Sequence, residues 1–274
     1  MTTPWELLSQ EARDLAYNNN AAVAESARLN EARIAASARF RERARAALDI
    51  PYGPDARMRW DLFPAEREDA PCLVFIHGGY WQRNRREDFC SLAAGLCAHG
   101  WAAALPGYTL APEKKLAGIV KEIEAALDWL GANGARRGIA GPILLSGWSA
   151  GGHLAALGLG HPSVAAGLAI SGVFDLAPIR DTYLNEKLQL TEEEIATLSP
   201  LRLKPVQKRL AIAYGTAELP RLVADSCALN AQRQAAGAPG PLVPVAEANH
   251  FTILDALSSP TGALARAALS LMAA

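Results

Sequence analysis

A chain of 274 residues, half of them apolar, is long enough to bury about three quarters of its unfolded surface around one core. With 27 Lys and Arg against 28 Asp and Glu, its net charge of -1 excludes the charge-driven binding of nucleic acid or anionic membrane. Its four cysteines (Cys72, Cys90, Cys97, Cys227) have no CxxC spacing and join no metal-ligand cluster, so buried thiols in a reducing, cytoplasmic setting are expected. Met1 to Asn20 holds Glu6, Glu11, Arg13 and Asp14 without an apolar core, which argues against a signal peptide. The most apolar region, 152–174, is interrupted by His153, His161 and Pro162, so no membrane span is expected.

In chain order, residues 21–48 are rich in Ala, Arg and Glu with scattered apolar points (Val23, Ala27, Ile34, Ala38, Leu48), which predicts one or two helices. The run from Arg39 to Arg45 is expected to be a solvated helix face. Pro51-Tyr52-Gly53-Pro54 breaks the helix. Strands are predicted at Met58 to Phe63 and at 71–76, 101–105, 141–146, 167–172, 209–214 and 242–246. Helices near 87–98, 116–132, 150–160, 221–237 and 261–273 lie between or after them. Strands alternating with helices imply the α/β class, a mostly parallel central sheet with helices on both faces. Residues 1–50 are expected to form an N-terminal helical cap segment, and 51–274 a single catalytic domain. Segment 175–206 departs from the alternation. It carries Pro178, Pro200 and Pro205, and Thr191-Glu192-Glu193-Glu194 has the form of a capping box. An insertion after a strand's carboxyl end is expected to act as a lid, joined by the N-terminal helices.

Two motifs carry chemistry. Gly147-Trp148-Ser149-Ala150-Gly151 stands between the strand ending at Ser146 and the helical Gly152-His153-Leu154. That context forms a nucleophile elbow: a sharp turn projects the Ser149 hydroxyl above the sheet, and small neighbours let strand and helix approach. Upstream, the strand Pro71 to Ile76 runs into His77-Gly78-Gly79-Tyr80-Trp81. Glycines directly after a strand free the backbone amides to face a ligand. The amides of Gly78, Gly79 and Ala150 are therefore the expected oxyanion-hole donors.

The base is expected after the nucleophile. Of five histidines, only His153, His161 and His250 follow Ser149. His153 lies within the nucleophile helix and reads as a packed residue, while His161 suits that helix's C-terminus. His250 follows the last strand, where a general base belongs. For the acid, Glu218 is the first carboxylate beyond the strand Arg209 to Gly215. Asp175 is the alternative supplier, and Asp225 and Asp255 fit less well.

The residues His77 to Trp81 resemble the HGGYW oxyanion loop of the serine-dependent kynurenine formamidases (arylformamidases), which belong to the hormone-sensitive-lipase-like group with the α/β-hydrolase fold. Similar to that family too are Tyr108 to Pro112, the elbow extended to Leu154, Ser171 to Leu176, Ser199-Pro200-Leu201 and Asn249-His250-Phe251. Glu218-Leu219-Pro220 aligns with a segment whose acid is usually Asp, a departure that a longer carboxylate can accommodate. The resemblance runs from about residue 60 to the end, with a weaker echo in the N-terminal helices. It implies Ser149, His250 and Glu218 as triad, an aryl formamide as substrate and no cofactor. Tyr80, Trp81, Trp148, Phe174 and Phe251 are candidates to face an aromatic substrate, or else ordinary core and rim aromatics. One of Arg83, Arg85, Arg86 or Arg180 is the candidate partner for a substrate carboxylate. A carboxylesterase with the same triad, and an inactive ligand-binding relative, are the competing readings. The expected partner is a small molecule, with no nucleic acid and no membrane. A homodimer is the candidate assembly.

Overall fold

The structure, a computed structural model, describes residues 4–273. Eight strands form one sheet: β1 (Ala47–Pro51), β2 (Arg59–Phe63), β3 (Cys72–Ile76), β4 (Ala102–Pro106), β5 (Ile143–Trp148), β6 (Val164–Ile170), β7 (Leu210–Gly215) and β8 (Leu242–Val245). Their order is β1-β2-β4-β3-β5-β6-β7-β8. β2 runs antiparallel to β1 and β4, and the remaining neighbours are parallel. The inner strands β3, β4 and β5 are buried throughout because both of their faces are covered.

Within β3, successive side chains serve opposite cores. Cys72, Val74 and Ile76 pack with Leu116, Ile119, Ile123 and Leu127 of the helix Leu116–Asn133 and Leu154 of the helix Ala150–Gly158. Leu73 and Phe75 pack on the other face with Phe89, Leu92 and Leu96, and with Leu264, Ala265, Ala268 and Leu271 of the helix Ala263–Met272. Helices thus cover both faces of a mostly parallel sheet, the α/β architecture expected.

The N-terminal helical reading of 21–48 needs correction. Helix Ser26–Arg43 ends at Arg43, and residues 47–51 form the edge strand β1. β1 is held by backbone pairing to β2, with a register shift and Asp49 at φ +58°. An edge strand of half-buried and exposed residues leaves no alternation to read. The Arg39–Arg45 run is only partly a solvated face, since Phe40 packs on Phe63 with ring centroids 5.0 Å apart and Arg41 pairs with the fully buried Asp61 at 2.9 Å. The stretch predicted as one helix near 87–98 is a 3-10 segment, Arg86–Ala93, followed by the short helix Ala94–Cys97. All four cysteines are free, with Cys72 and Cys90 buried and Cys97 and Cys227 half-buried. No helix among the described residues is long and apolar enough to cross a membrane.

Segment 175–206 folds as three short helices, Ala177–Arg180, Asn185–Leu188 and Glu192–Leu198, and the 3-10 turn Pro200–Arg202. The capping box at Thr191 and Glu194 forms as expected. The Glu194 amide donates to Thr191 Oγ1 at 3.1 Å and the Thr191 amide donates to Glu194 Oε2 at 3.2 Å. Glu194 Oε1 also accepts from the Ala117 amide, so one carboxylate serves the first turns of two helices. This segment grips the N-terminal one: Trp5 Nε1 donates to Asp181 Oδ2, Gln10 Nε2 to the Asp181 carbonyl, and the Tyr183 amide to Asp14 Oδ1 at 2.8 Å.

Candidate active site

Ser149 stands between β5 and the helix Ala150–Gly158 at φ 58° and ψ -119°, a strained conformation for a residue with a side chain. Its amide donates to the Ile170 carbonyl at 2.8 Å, which holds the turn. The neighbouring glycine is required: a Cβ on Gly151 would lie 2.0 Å from the Ile76 carbonyl oxygen. Helix and β3 therefore meet backbone to backbone, which brings the loop after β3 beside the elbow.

In that loop a Cβ on Gly78 would meet the Trp148 carbonyl at 2.6 Å and Ser149 Cβ at 3.0 Å, so the loop lies against the nucleophile turn. Gly79 (φ +119°), Tyr80 (+51°) and Trp81 (+58°) follow in positive-φ backbone, which bends the chain sharply away from the sheet. The Gly78 carbonyl is fixed by two donors, His77 Nδ1 at 2.9 Å and Asn84 Nδ2 at 3.1 Å. In a trans peptide the next N–H points opposite to the carbonyl, so this anchoring sets the direction of the Gly79 amide. The amides of Gly78, Gly79 and Ala150 have no acceptor among the described residues. His77 is wholly buried, stacks on Tyr108 at 4.3 Å, and is pushed down to about 3 by burial, so it stays a neutral brace.

Glu218 and His250 meet across 32 residues of chain, with His250 Nδ1 3.2 Å from Glu218 Oε2. Glu218 Oε1 accepts from Ser171 Oγ and from the Gly215 amide at 2.9 Å. A carboxylate so engaged accepts the Nδ1 proton, which leaves His250 Nε2 as the nitrogen with a free lone pair. Trp148 Nε1 donates to the His250 carbonyl at 2.8 Å, and the Asn249 side chain accepts from the Phe251 and Thr252 amides. Ser149 (2% exposed), His250 (3%) and Glu218 (8%) are all nearly inaccessible from outside.

The other carboxylates are engaged elsewhere. Asp175 pairs with Arg202 at 2.9 Å. Asp225 accepts from the amides of Phe174 and Asp175, and burial pushes it up to about 6. Asp255 opens the short helix Asp255–Ser258. His153 Nε2 donates to the Leu198 carbonyl at 2.7 Å inside the core, and burial lowers the ring to about 4. His161 pairs with Asp128 at 3.1 Å. Among the described residues no group of three or more His, Cys, Asp and Glu is arranged to hold a metal ion.

Ser149 and His250 open into a small cleft of about 70 Å³. Gly79, Tyr80, Trp148 and Phe251 line it, while two predicted substrate aromatics do not. Trp81 is fully buried, edge-on to His153 at 5.0 Å, and Phe174 is fully buried in the core. Both were placed near the site by chain proximity alone, and the backbone turns their side chains inward. Of the four arginines considered, only Arg83 lines the cleft. Arg85 pairs with Asp88, Arg86 with Asp49 and Asp61, and Arg180 with Glu192. The opposite wall is Asn19, Asn20 and Asn30 of the N-terminal segment, and no residue of 175–206 takes part. These asparagines, Asn84 and Ser171 were not singled out from the sequence. Ser171 alone left a sequence signal, as the first residue beyond the strand beside the elbow.

Comparison with known proteins follows the same lines. The BD-FAE family matches residues 61–166. The kynurenine formamidase of Danio rerio is 28% identical over 236 residues, 79% of this chain and 80% of that protein. Esterase LipQ of Mycobacterium tuberculosis is 34% identical over 119 residues, 40% of this chain and 28% of that protein. The crystal structure of a provisionally assigned thioesterase from a Silicibacter species superposes with a TM-score of 0.82 at 30% identity, covering 93% of this chain and 97% of that one.

Proposed function

The chain belongs to the arylformamidase-like α/β-hydrolases, and we propose that it cleaves an aryl formamide such as N-formyl-L-kynurenine to formate and the free arylamine. The observation that carries the mechanism is the Glu218–His250 pair opening into the same cleft as the strained Ser149. Ser149 Oγ attacks the formyl carbonyl as His250 Nε2 takes its proton, and the amides of Gly78, Gly79 and Ala150 hold the oxyanion. His250 then returns the proton to the leaving nitrogen as the C–N bond breaks. Water, deprotonated by His250, releases formate from the formyl-enzyme. Glu218, itself held by Ser171 and Gly215, keeps the imidazole in the tautomer this sequence needs.

Three further features support an aromatic, acid-bearing substrate. Tyr80, Trp148 and Phe251 line the cleft. Arg83, exposed at its edge, is the cation placed to pair with a carboxylate. The relative from Danio rerio is itself a kynurenine formamidase. Four free cysteines and the even charge balance support a cytoplasmic location.

The esterase reading is favoured by the LipQ relationship and uses the same machinery. The deciding experiment is kcat/KM for N-formyl-L-kynurenine beside a short p-nitrophenyl ester, with wild type and Ser149→Ala. Formamide turnover at about 10⁴ M⁻¹s⁻¹ or above is expected. Its loss by a factor of about 10⁴ or more in Ser149→Ala supports the triad mechanism. Ester turnover with negligible formamide turnover would transfer the assignment to the esterase reading.

A further inference from the structure

The asparagine wall of the cleft contains one atom whose bonding is incomplete. Asn19 is 5% exposed and its Nδ2 donates to Tyr80 Oη at 3.0 Å. Tyr80 Oη donates in turn to the Tyr17 carbonyl at 2.7 Å. The hydroxyl has a single proton, and the Tyr17 carbonyl has taken it. Towards Asn19 it can only accept, so only the NH₂ side of the amide can face it. This relay fixes which way the amide lies and turns Oδ1 to the other side. Asn19 Oδ1 is buried and has no donor among the described residues. Other buried polar atoms share that condition, among them Trp60 Nε1, Trp81 Nε1 and His153 Nδ1, but of the residues bearing them only Asn19 lines the cleft with Ser149. A buried carbonyl oxygen left without a donor is costly, and because its residue stands in the wall of the cleft, a bound ligand that reaches Asn19 is the natural donor.

We propose that Asn19 Oδ1 accepts the N–H of the scissile amide, which makes this a site built for N-acylated arylamines over esters. The inference rests on the formamide reading and deepens it. The scissile nitrogen of a formanilide carries one hydrogen, and the bridging oxygen of an ester carries none. An ester would leave Oδ1 unpaired and set against another oxygen lone pair, whereas the amide completes its bonding. The contact also acts on the reaction. Once Oγ has added to the carbonyl, the nitrogen becomes pyramidal, and holding its hydrogen at Asn19 orients its lone pair to receive the proton from His250 as the C–N bond breaks. Asn19 is thus a specificity and positioning residue, and Tyr80, through Tyr17, fixes its orientation.

The test is kcat/KM for formanilide, N-methylformanilide and phenyl formate in wild type, Asn19→Leu and Tyr80→Phe, each checked for an intact thermal transition. In Asn19→Leu the formanilide-to-phenyl formate ratio is expected to fall at least tenfold, and the preference for formanilide over N-methylformanilide to disappear. Tyr80→Phe releases the amide to rotate and is expected to lower the same ratio by a smaller factor. A ratio within twofold of wild type in a folded Asn19→Leu overturns the proposal. Should Asn19→Leu not fold, an unchanged ratio in Tyr80→Phe does so. If wild type cleaves phenyl formate but neither formamide, the formamide reading fails, and the Asn19 contact is decided by inhibition of ester turnover. Tighter inhibition by formanilide than by its N-methyl analogue then supports the contact, and equal inhibition overturns it.

Discussion

The serine at the elbow is held where residues with side chains rarely sit, at φ 58° and ψ -119°. Such a conformation costs of order 1–3 kcal/mol and persists only because the surroundings dictate it: the Ser149 amide is bonded to Ile170 and the turn is wedged between β3 and β6. Relieving the strain and keeping the turn is possible with glycine. Ser149→Gly is expected to raise the unfolding free energy by about 1 kcal/mol while abolishing turnover. Ser149→Ala, which keeps the Cβ, is expected to gain less. Urea denaturation of the three proteins checks this, and equal stabilities would show that the turn stores no strain. The same scale explains why Glu replaces the family's usual Asp without loss of connection. Its longer arm reaches His250 Nδ1 with one oxygen and Ser171 and Gly215 with the other.

At the scale of elements, the N-terminal segment forms one wall of the cleft although it precedes the sheet. Its position is set by polar contacts to the 175–206 segment and by Tyr17 and Val23, which are buried in the two cores, whereas Leu7 and Leu15 are exposed. Gln82 Nε2, bonded to the Leu184 carbonyl, ties the oxyanion loop to the same segment. Segment 175–206 therefore braces the N-terminal segment and does not itself line the cleft. Asp14→Ala removes the acceptor for the Tyr183 amide and is expected to cost about 1 kcal/mol of docking. The consequence is a rise of roughly fivefold in KM and faster proteolysis within residues 4–22, with kcat little changed. Unchanged KM and cleavage rate would mean that the segment is held by other contacts.

For the molecule as a whole, two buried histidines and one half-buried carboxylate shape the response to acid. His77 and His153 titrate at about 3 and about 4 in the fold, below the ordinary histidine value of about 6.5. The unfolded chain takes up their protons first, so the stability they contribute is present above pH 6.5 and is lost as pH falls towards 4. Asp225, raised to about 6, has the opposite sign: its contribution is present below pH 4 and is lost as pH rises through 6. Two histidines at about 1.4 kcal/mol per pH unit, set against one carboxylate, predict a net loss of about 1 kcal/mol per unit on acidification from pH 6 to 4.5. Asp225→Asn keeps an acceptor for the two amides and is expected to steepen that slope to about 2. Unfolding free energies measured across this range test both values, and a flat profile in the variant would contradict them. The sheet sets the molecule's geometry as well. Its strand order brings the ends of β3, β5, β7 and β8 to one edge, where Trp148 and His250, 102 positions apart in the chain, are hydrogen-bonded.

The sequence by itself determined the α/β class, seven of the eight strands, and the choice of Ser149, His250, Glu218, Gly78, Gly79 and Ala150 as candidates. These are local properties: apolar runs, glycines at sharp turns, and polar residues just beyond strand ends, each tied to neighbours close in the chain. β1 escaped because an edge strand owes its form to a partner's backbone and leaves no side-chain alternation. Trp81 and Phe174 were misplaced because adjacency in the chain does not say which way a turn directs a ring. Only the tertiary structure decided that Ser171 seconds Glu218, that Arg83 alone of four arginines reaches the cleft, and that Asn19, Asn20 and Asn30 wall it. Those assignments depend on which distant surfaces pack together and which polar groups are already engaged, and no window of sequence contains either.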